Sequence, residues 1–237
     1  MRGCGAALEE LLWPTRCAIC DQPGELLCDR CRAHLPWIEQ RYACPNCGAP
    51  FGQLTCTQCK GGWPTRSCVC AWPLAGAGAL LATGLKDAHE LRLAPIVAAA
   101  IATALDEASA WPASDGAGRY DPPSTDALCF VPATRAAYRR RGFDHMELVA
   151  RELSWLLGLP LADVLVREEG LDQRRLGRDE RSRNLMGTVE VTDDVSGLHL
   201  LLVDDVVTTG ASMEACATAL LGRGARAVSA CALARVW

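Results

Sequence analysis

The chain has 237 residues, of which 50% are hydrophobic and 22% are charged, and its formal net charge at pH 7 is −4. This length suits one medium domain with a small additional module, and the composition is that of a folded globular protein. The slightly negative charge excludes a protein that binds nucleic acid through a basic surface covering the whole molecule.

No stretch of the sequence predicts export or a membrane span. Near the N-terminus, Glu9 and Glu10 interrupt the apolar region that a signal peptide requires. The apolar stretches 74–85 and 93–105 are too short to cross a bilayer. We therefore expect a cytoplasmic protein without membrane insertion. In that reducing compartment, the 14 cysteines indicate metal binding rather than disulfides.

Eight of the cysteines form four Cys-x-x-Cys pairs. Such a pair directs two thiolates to one tetrahedral ion, and two pairs complete a closed Cys4 site. The spacing favours two consecutive zinc ribbons, ribbon 1 (residues 17–31) and ribbon 2 (residues 44–59), with two structural zinc ions. An interleaved cross-brace and iron–sulfur clusters on the same cysteines stay open as alternatives. The predicted metal ligands are Cys17, Cys20, Cys28, Cys31, Cys44, Cys47, Cys56 and Cys59.

The ribbon module gives no charge argument for nucleic-acid binding, because residues 1–66 contain seven basic and six acidic side chains. Its aromatic side chains have two interpretations. They either stack on bases or form the small core of the module, and we favour the core. These residues are Trp13, Trp37, Tyr42, Phe51 and Trp63.

We divide the chain into a double zinc ribbon at 1–66 and a second domain at 67–237. The boundary falls in a cysteine-bearing stretch, 64–73, which two prolines bracket and which we interpret as a linker. Beyond it, residues 94–108 contain an early proline and strong helix formers and predict a buried helix. The apolar run 127–132, which follows a loop rich in Pro, Gly and Ser, predicts a short buried strand.

The remaining sequence alternates between helical and strand patterns. Asp144 is suited to cap a helix over 144–157. The stretch 166–189 contains six arginines and five acids with little periodicity, and we interpret it as a mobile loop or a short charged helix. A strand at 199–203, a helix from 212 to about 221 and a strand at 226–236 complete the pattern, which predicts a mostly parallel α/β sheet.

The stretch LLLVDDVVTTGAS, residues 200–212, places two acids at the end of an apolar strand and a Thr-Thr-Gly-Ala-Ser turn before a helix. Ligands of parallel sheets bind beyond the carboxyl ends of the strands, and a helix N-terminus binds phosphate. We call residues 208–212 the phosphate loop, and Asp204 and Asp205 the acid pair. Carboxylates repel phosphate, so the acid pair suits paired hydroxyls or Mg2+. A sugar phosphate satisfies both halves of the motif.

Other interpretations of this stretch are less specific. A Walker A loop is excluded because no Gly-Lys-Ser/Thr follows the strand. An aspartate pair alone would suit a phosphoacceptor pocket, but the adjoining Thr-Thr-Gly argues against that. A strand that merely ends in an acidic capping turn is the least informative alternative.

The stretch resembles the signature with which type I phosphoribosyltransferases bind phosphoribosyl pyrophosphate (PRPP). The rest of the chain is similar to the ComF/GntX family of competence-associated proteins, which joins a zinc-ribbon module to a phosphoribosyltransferase-like domain. The resemblance implies a parallel sheet with helices on both faces. It is also carried by GLKDAHELRLAPIVAAAIA (84–102), VPATRAAYRRRGFDH (131–145) and DQRRLGRDERSRN (172–184).

The resemblance implies a role for particular residues. The acid pair meets the ribose hydroxyls of PRPP, and the phosphate loop holds its 5-phosphate. The turn VPATR, residues 131–135, is the pyrophosphate loop, and the arginine-rich stretch 166–187 is a hood over the site. The implied PRPP-binding residues are Pro132, Ala133, Thr134, Arg135, Asp204, Asp205, Thr208, Thr209, Gly210, Ala211 and Ser212. The implied catalytic residues are Asp204, Asp205, Arg135, Arg140 and Arg141.

The resemblance implies PRPP with Mg2+ as ligands and transfer of the phosphoribosyl group to a nitrogen acceptor. A non-catalytic competence factor is the alternative. It would use the fold as a PRPP-sensing scaffold beside single-stranded DNA and a helicase-like partner. One departure matters, because the family usually has Arg-Gly-Phe-Asn-Gln where this chain has RGFDH. The roles of Asp144 and His145 therefore cannot be carried over.

Overall fold

The computed structural model describes residues 14–59, 62–113, 115–167 and 188–237. Its helices are α1 (Asp29–Arg32), α2 (Ala77–Lys86), α3 (Ala94–Ser109), α4 (Arg135–Arg141), α5 (His145–Leu157) and α6 (Ala211–Gly222). Its strands are β1 (Cys68–Pro73), β2 (Ala127–Phe130), β3 (Leu165–Arg167), β4 (Val189–Val191), β5 (His199–Val207) and β6 (Ala227–Arg235).

Four of the strands form a parallel sheet in the order β1-β6-β5-β2. The strands β3 and β4 pair separately as an antiparallel hairpin. Helices cover both faces of the parallel sheet, as the resemblance implies. This α/β fold agrees with the prediction of a mostly parallel sheet.

Alternating side chains of the sheet belong to two separate cores. Val69, Leu128 and Leu201 pack with helices α2, α3 and α5 on one face. Cys129 and Leu202 pack on the other face with helix α6 and the β3–β4 hairpin. Helix α5 comes after β2 in the chain and α6 comes after β5, so the chain leaves these neighbouring strands towards opposite faces. The crevice between their carboxyl ends is the topological switch point, where open α/β sheets bind ligands.

Several predicted elements are confirmed with small changes at their ends. The helix predicted at 94–108 is α3, and Asp144 caps α5 by accepting a hydrogen bond from the Met146 amide. The strand predicted to end at residue 203 continues to Val207, because β6 keeps pairing beyond the apolar run. The acid pair therefore lies within β5, on rigid backbone rather than in a loop.

The interpretation of 64–73 as a linker is wrong. Residues 68–73 form β1, which pairs in parallel with β6, and Val69 to Trp72 are at most 1% exposed. This strand also joins the ribbon module to the sheet, since the Ile38 amide donates to the Ala71 carbonyl and the Cys68 amide to the Pro45 carbonyl. The domain boundary at residues 66 and 67 stays a prediction.

The arginine-rich stretch predicted as a loop or short helix over 166–189 begins and ends in strand, since β3 and β4 include its two ends. The part at 168–187, which holds most of the predicted hood, lies outside the described residues, as does Trp13. Among the helices that the structure describes, none combines the length and apolar character needed to span a bilayer.

Candidate functional site

The cysteines of the ribbons form two compact clusters. In each cluster the four sulfur atoms lie within 4.8 Å of one another. Cys17, Cys20, Cys28 and Cys31 make up one cluster, and Cys44, Cys47, Cys56 and Cys59 the other. The pairing is that of two consecutive ribbons, so the interleaved cross-brace is wrong. Closed sets of four thiols at this spacing fit structural Zn2+.

Burial and hydrogen bonds within each cluster move the pKa values of its thiols apart, raising those of Cys31 and Cys44 and lowering those of Cys17 and Cys47. A hydrogen bond from Cys44 lowers the pKa of Cys47 to about 5, although burial opposes the shift. Burial raises the pKa of Cys17, but backbone hydrogen bonds from Cys28, Cys20 and Ile19 outweigh it and lower the value to about 6.

A cavity of about 480 Å³ opens at the carboxyl ends of β2 and β5, at the switch point. Most of its lining comes from three segments that are distant in sequence: the end of helix α2, the pyrophosphate loop with the two helices after it, and the end of β5 with the phosphate loop. Leu74 and Arg167 complete it. Its polar lining residues include Thr83, Lys86, Asp87, Thr134, Arg141, His145, Arg167, Asp204, Asp205, Thr208 and Ser212.

Both carboxylate oxygens of Asp205 have polar partners. Its Oδ2 atom lies 2.9 Å from Lys86 Nζ and 2.9 Å from His145 Nε2, while Oδ1 accepts a hydrogen bond from the Val206 amide at 2.7 Å. Burial alone would raise the pKa of Asp205, but the hydrogen bond from His145 and the charge of Lys86 hold it well below its usual range. The Asp205 side chain is therefore ionised in the free site.

Asp204 has the opposite character. Its Oδ1 atom accepts a hydrogen bond from the Asp205 amide at 2.8 Å. Burial, followed by repulsion from the neighbouring Asp205 carboxylate, raises the pKa of Asp204 well above its usual value. The acid pair thus contains one carboxylate that its partners stabilise and one carboxyl group whose ionisation is opposed by burial and by the neighbouring charge.

The phosphate loop connects β5 to helix α6 and lines a second cavity of about 190 Å³. Gly210 caps α6 with a φ of 88°, a left-handed conformation that glycine adopts without strain. The N-terminus of α6 carries the positive end of the helix dipole, and it suits an anion together with the Thr and Ser hydroxyls of the loop. Asp204, Thr208, Ser212 and Arg167 line both cavities, so the two cavities adjoin where the acid pair meets the phosphate loop.

The pyrophosphate loop is tied to helix α5 by Asp144. One carboxylate oxygen of Asp144 accepts from the Ala133 amide at 2.7 Å, and the other accepts from the Met146 amide at 2.9 Å. Thr134 in turn caps helix α4 by accepting from the Ala137 amide at 3.2 Å. Two caps therefore fix the backbone of residues 132–135, three of which (Pro132, Ala133 and Thr134) line the large cavity.

The structure separates the three arginines expected to act in catalysis. Arg141 lines the large cavity, with a side chain only 6% exposed that lies near His145 and Asp87. Its Nε atom is buried and has no hydrogen-bond partner within the described parts of the chain. Arg135 and Arg140 are exposed on helix α4 and are not among the residues that line the cavity, so their roles stay predictions.

The sequence did not predict the contacts that three residues make in this site. Lys86 and His145 hold Asp205, and Asp144 holds the pyrophosphate loop. In the sequence Lys86 stands only at the end of an apolar run, although it is one of just two lysines in the chain. The departure from the family pattern at Asp144 and His145 was the available signal, because both replacements carry ionisable groups.

Comparisons with known proteins match both parts of the chain. A double zinc ribbon domain matches residues 8–60, and a phosphoribosyl transferase domain matches residues 138–236. The DNA utilization protein YhgH of Salmonella typhi is 31% identical over 232 residues, which cover 94% of this chain and 97% of that protein.

Among solved structures, hypoxanthine phosphoribosyl transferase of Trypanosoma cruzi superposes with a TM-score of 0.35 at 15% identity, over 62% of this chain and 65% of that one. Phosphoribosylpyrophosphate synthetase of Mycobacterium smegmatis superposes with a TM-score of 0.28 at 18% identity, over 47% of this chain and 28% of that one.

Proposed function

The chain belongs to the ComF/GntX family, whose members carry a double zinc ribbon before a phosphoribosyltransferase-like domain. From this premise we propose that its acid pair and phosphate loop bind PRPP, or another ribose 5-phosphate, with Mg2+. The observation that carries the proposal is that the two cavities adjoin and share lining residues. Asp204 lines both, so a ligand with its phosphate on the phosphate loop presents its sugar to the acid pair.

Each part of PRPP has a chemically suited counterpart in this site. The amides at the start of α6 suit the 5-phosphate. The acid pair suits the vicinal hydroxyls of the ribose, and the backbone of residues 132–135 suits the pyrophosphate. The carboxyl oxygens of Asp204 and Asp205 are of the kind that Mg2+ prefers, and a bound Mg2+ supplies charge that stabilises pyrophosphate as a leaving group.

The proposal extends to transfer of the phosphoribosyl group to a nitrogen acceptor in the cytoplasm. When the bond between C1 and pyrophosphate breaks, positive charge develops on the ribose and negative charge on the pyrophosphate. The fixed carboxylate of Asp205 stabilises the first charge, and the Arg141 guanidinium stabilises the second. Support comes from the ionised state of Asp205 and the unpartnered Nε of Arg141.

Isothermal calorimetry with PRPP and Mg2+ tests the binding proposal. We expect the wild type to bind and an Asp204→Asn/Asp205→Asn variant to lose most of the heat. The chain contains a matched control, because Asp193 and Asp194 form a second aspartate pair that is exposed at the surface. An Asp193→Asn/Asp194→Asn variant should bind as the wild type does. Absent binding by the wild type, or equal binding by both variants, would overturn the proposal.

A second candidate function, handling of single-stranded DNA, is favoured by exposed aromatic side chains around one groove. A groove of about 210 Å³ between ribbon 2 and the chain end is lined by Trp37, Tyr42, Phe51 and Trp237, which are 40% to 73% exposed. Aromatic rings in such positions can stack on unpaired bases. The interpretation of the ribbon aromatics as a small core does not fit Phe51, which is 73% exposed.

Titration of a fluorescent oligothymidine against the protein at several salt concentrations tests this candidate. We expect Phe51→Ala to weaken binding, whereas Trp155→Ala, which removes a ring that is 79% exposed on helix α5, should not. Equal losses in both variants would contradict a specific stacking groove. A response that does not depend on salt would exclude contacts between arginines and DNA phosphates.

A further inference from the structure

We propose that ribbon 2 holds the phosphate loop in its binding conformation through Arg235 and Trp63, so that metal occupancy of ribbon 2 controls the affinity of the site for its phosphate ligand. The inference rests on the proposed function and assigns a regulatory part to one of the two ribbons. It concerns residues outside the cavities that bind the ligand.

Arg235, at the end of β6, is 1% exposed and joins the two sites directly. Its Nε atom donates to the Cys47 carbonyl, within the first Cys-x-x-Cys pair of ribbon 2, at 2.9 Å. Its Nη1 atom donates to the carbonyls of Val207 and Thr208, where β5 enters the phosphate loop. One guanidinium group therefore binds the backbone of a metal site and of a phosphate site together.

The charges on the two sides of Arg235 are complementary. A buried guanidinium is costly unless its charge is compensated. The contacts described for Arg235 are with carbonyl oxygens and with the Cys47 thiol. A zinc ion with four thiolates carries a net negative charge, so a metal-loaded ribbon 2 compensates the buried cation.

The bonds from Arg235 also orient the phosphate loop. In a trans peptide the carbonyl and the following N–H point in opposite directions. Because Arg235 holds the carbonyls of Val207 and Thr208, the amides of Thr208 and Thr209 point away from Arg235. Fixed amide donors bind an anion better than mobile ones, because no ordering cost remains when the ligand arrives.

Trp63 supplies a second contact between ribbon 2 and the loop. Its ring packs against a small core that contains Cys44, Cys47 and Ala49. The same ring lies over Gly210, at the place that a Cβ atom of residue 210 would occupy. Ribbon 2 is therefore connected to the phosphate loop at two points, at its first residue Thr208 through Arg235 and at its middle residue Gly210 through Trp63.

Ribbon 1 has different neighbours and serves as the internal control. Ala18, Ile19 and Leu26 pack against the core on the α2, α3 and α5 face of the sheet. Thr15, just before ribbon 1, accepts a hydrogen bond from Arg92 at 3.0 Å. An equivalent loss of metal from ribbon 1 should therefore leave the phosphate loop in place.

The test compares two variants of the full-length chain. Cys56→Ser/Cys59→Ser removes metal from ribbon 2, and Cys28→Ser/Cys31→Ser removes it from ribbon 1. Metal content should fall from two ions to one in each. Calorimetry with PRPP and Mg2+ should show affinity about tenfold weaker in the ribbon 2 variant, a size typical of coupling between two sites. The ribbon 1 variant should match the wild type.

A second measurement does not depend on the stability of the ribbon 2 variant. Coupling is reciprocal, so the ligand must also stabilise the metal of ribbon 2. In the Cys28→Ser/Cys31→Ser protein, which retains only that metal, PRPP should slow zinc release to a chromogenic chelator. Arg235→Gln, introduced into that protein, should abolish the protection. A merely structural role for Arg235 would change the release rate without changing its dependence on PRPP.

The outcomes separate the two proposals. Failure of the wild type to bind PRPP would overturn the proposed function and this inference with it. Binding by the wild type with equal affinity in both ribbon variants would overturn only the inference. PRPP binding that has no effect on zinc release from ribbon 2 would also overturn only the inference.

Discussion

The two aspartates of the acid pair are adjacent in sequence but have opposite protonation behaviour. Asp205 is stabilised as a carboxylate by His145 and Lys86, whereas burial and then the charge of Asp205 raise the pKa of Asp204 and favour its protonated form. A site of this kind accepts a ligand that brings hydroxyl donors or positive charge, because either compensates a second carboxylate. In the free site, ionisation of both aspartates is unfavourable, and we expect a ligand with such groups to make it less so.

Asp204→Asn should therefore stabilise the free protein at neutral pH. Unfolded Asp204 loses its proton above its ordinary pKa of 3.8, whereas the folded protein retains it. Unfolding of the wild type then releases a proton, so its stability relative to Asp204→Asn falls as pH rises above that value. We expect a gain of about 1 kcal/mol in unfolding free energy at pH 7. Urea denaturation at pH 4 and pH 7 measures it.

Asp205→Asn should have the opposite effect. The lowered pKa of Asp205 contributes stability above the ordinary value of 3.8. Loss of the charge that faces Lys86 and His145 should cost about 2 kcal/mol, a figure kept modest because the Lys86 side chain is 35% exposed. Equal changes of stability in the two variants would contradict the assignment of one fixed carboxylate and one protonated carboxyl group.

Asp144 makes a further test at the level of a single residue. Its two carboxylate oxygens accept from Ala133 and Met146, and asparagine retains only one acceptor oxygen. We expect Asp144→Asn to lower the unfolding free energy by about 1 kcal/mol. It should weaken binding of PRPP more than binding of ribose 5-phosphate, since in the proposed complex the loop at Ala133 holds the pyrophosphate. Calorimetry with both ligands measures the difference, and equal losses for the two would contradict this role.

At the scale of elements, the turn from β5 to α6 depends on Gly210. Its φ of 88° disfavours any side chain, and a Cβ would meet the Trp63 ring. Gly158 is a matched control, because its φ is 66° and a Cβ there would meet no atom of the described residues within 4 Å. Gly158→Ala should cost about 1 kcal/mol from backbone strain alone. Gly210→Ala should lower the unfolding free energy by more than that and should also weaken PRPP binding. Equal losses of stability in the two variants would contradict a close contact between the Trp63 ring and residue 210.

The elements that sequence predicted well are those with a local signal. The apolar run before the acid pair, the Pro near the start of α3 and the cap at Asp144 each act over a few residues. Strand β1 had no such signal, because it is short, ends in Pro73 and contains cysteines that resemble metal ligands. Its place in the sheet depends on β6, which is far away in sequence.

The candidate site shows the same division. The acid pair and the phosphate loop form one contiguous motif and could be predicted from it. The partners of Asp205 could not, because Lys86 is 119 residues away and His145 is 60 residues away. The contact between Arg235 and Cys47 spans 188 residues. Such contacts follow from the packed fold and carry no pattern in the sequence.

At the scale of the whole molecule, the zinc ribbons are joined to the α/β domain through hydrogen bonds to strand β1 and not by a linker alone. Purified protein should contain two zinc ions per chain, one for each Cys4 cluster. Removal of zinc by a strong chelator should lower the melting temperature, because small metal modules lose their folding energy with the metal. Melting that is unchanged after complete removal would contradict a structural role for the ions.

Crystals grown with ribose 5-phosphate and Mg2+ would test most directly whether the acid pair and phosphate loop form the ligand site. We predict electron density for the phosphate at residues 208–212, against the start of α6, with the ribose hydroxyls within hydrogen-bond distance of Asp204 or Asp205. A phosphate bound elsewhere on the protein, with this loop free of ligand, would contradict the account.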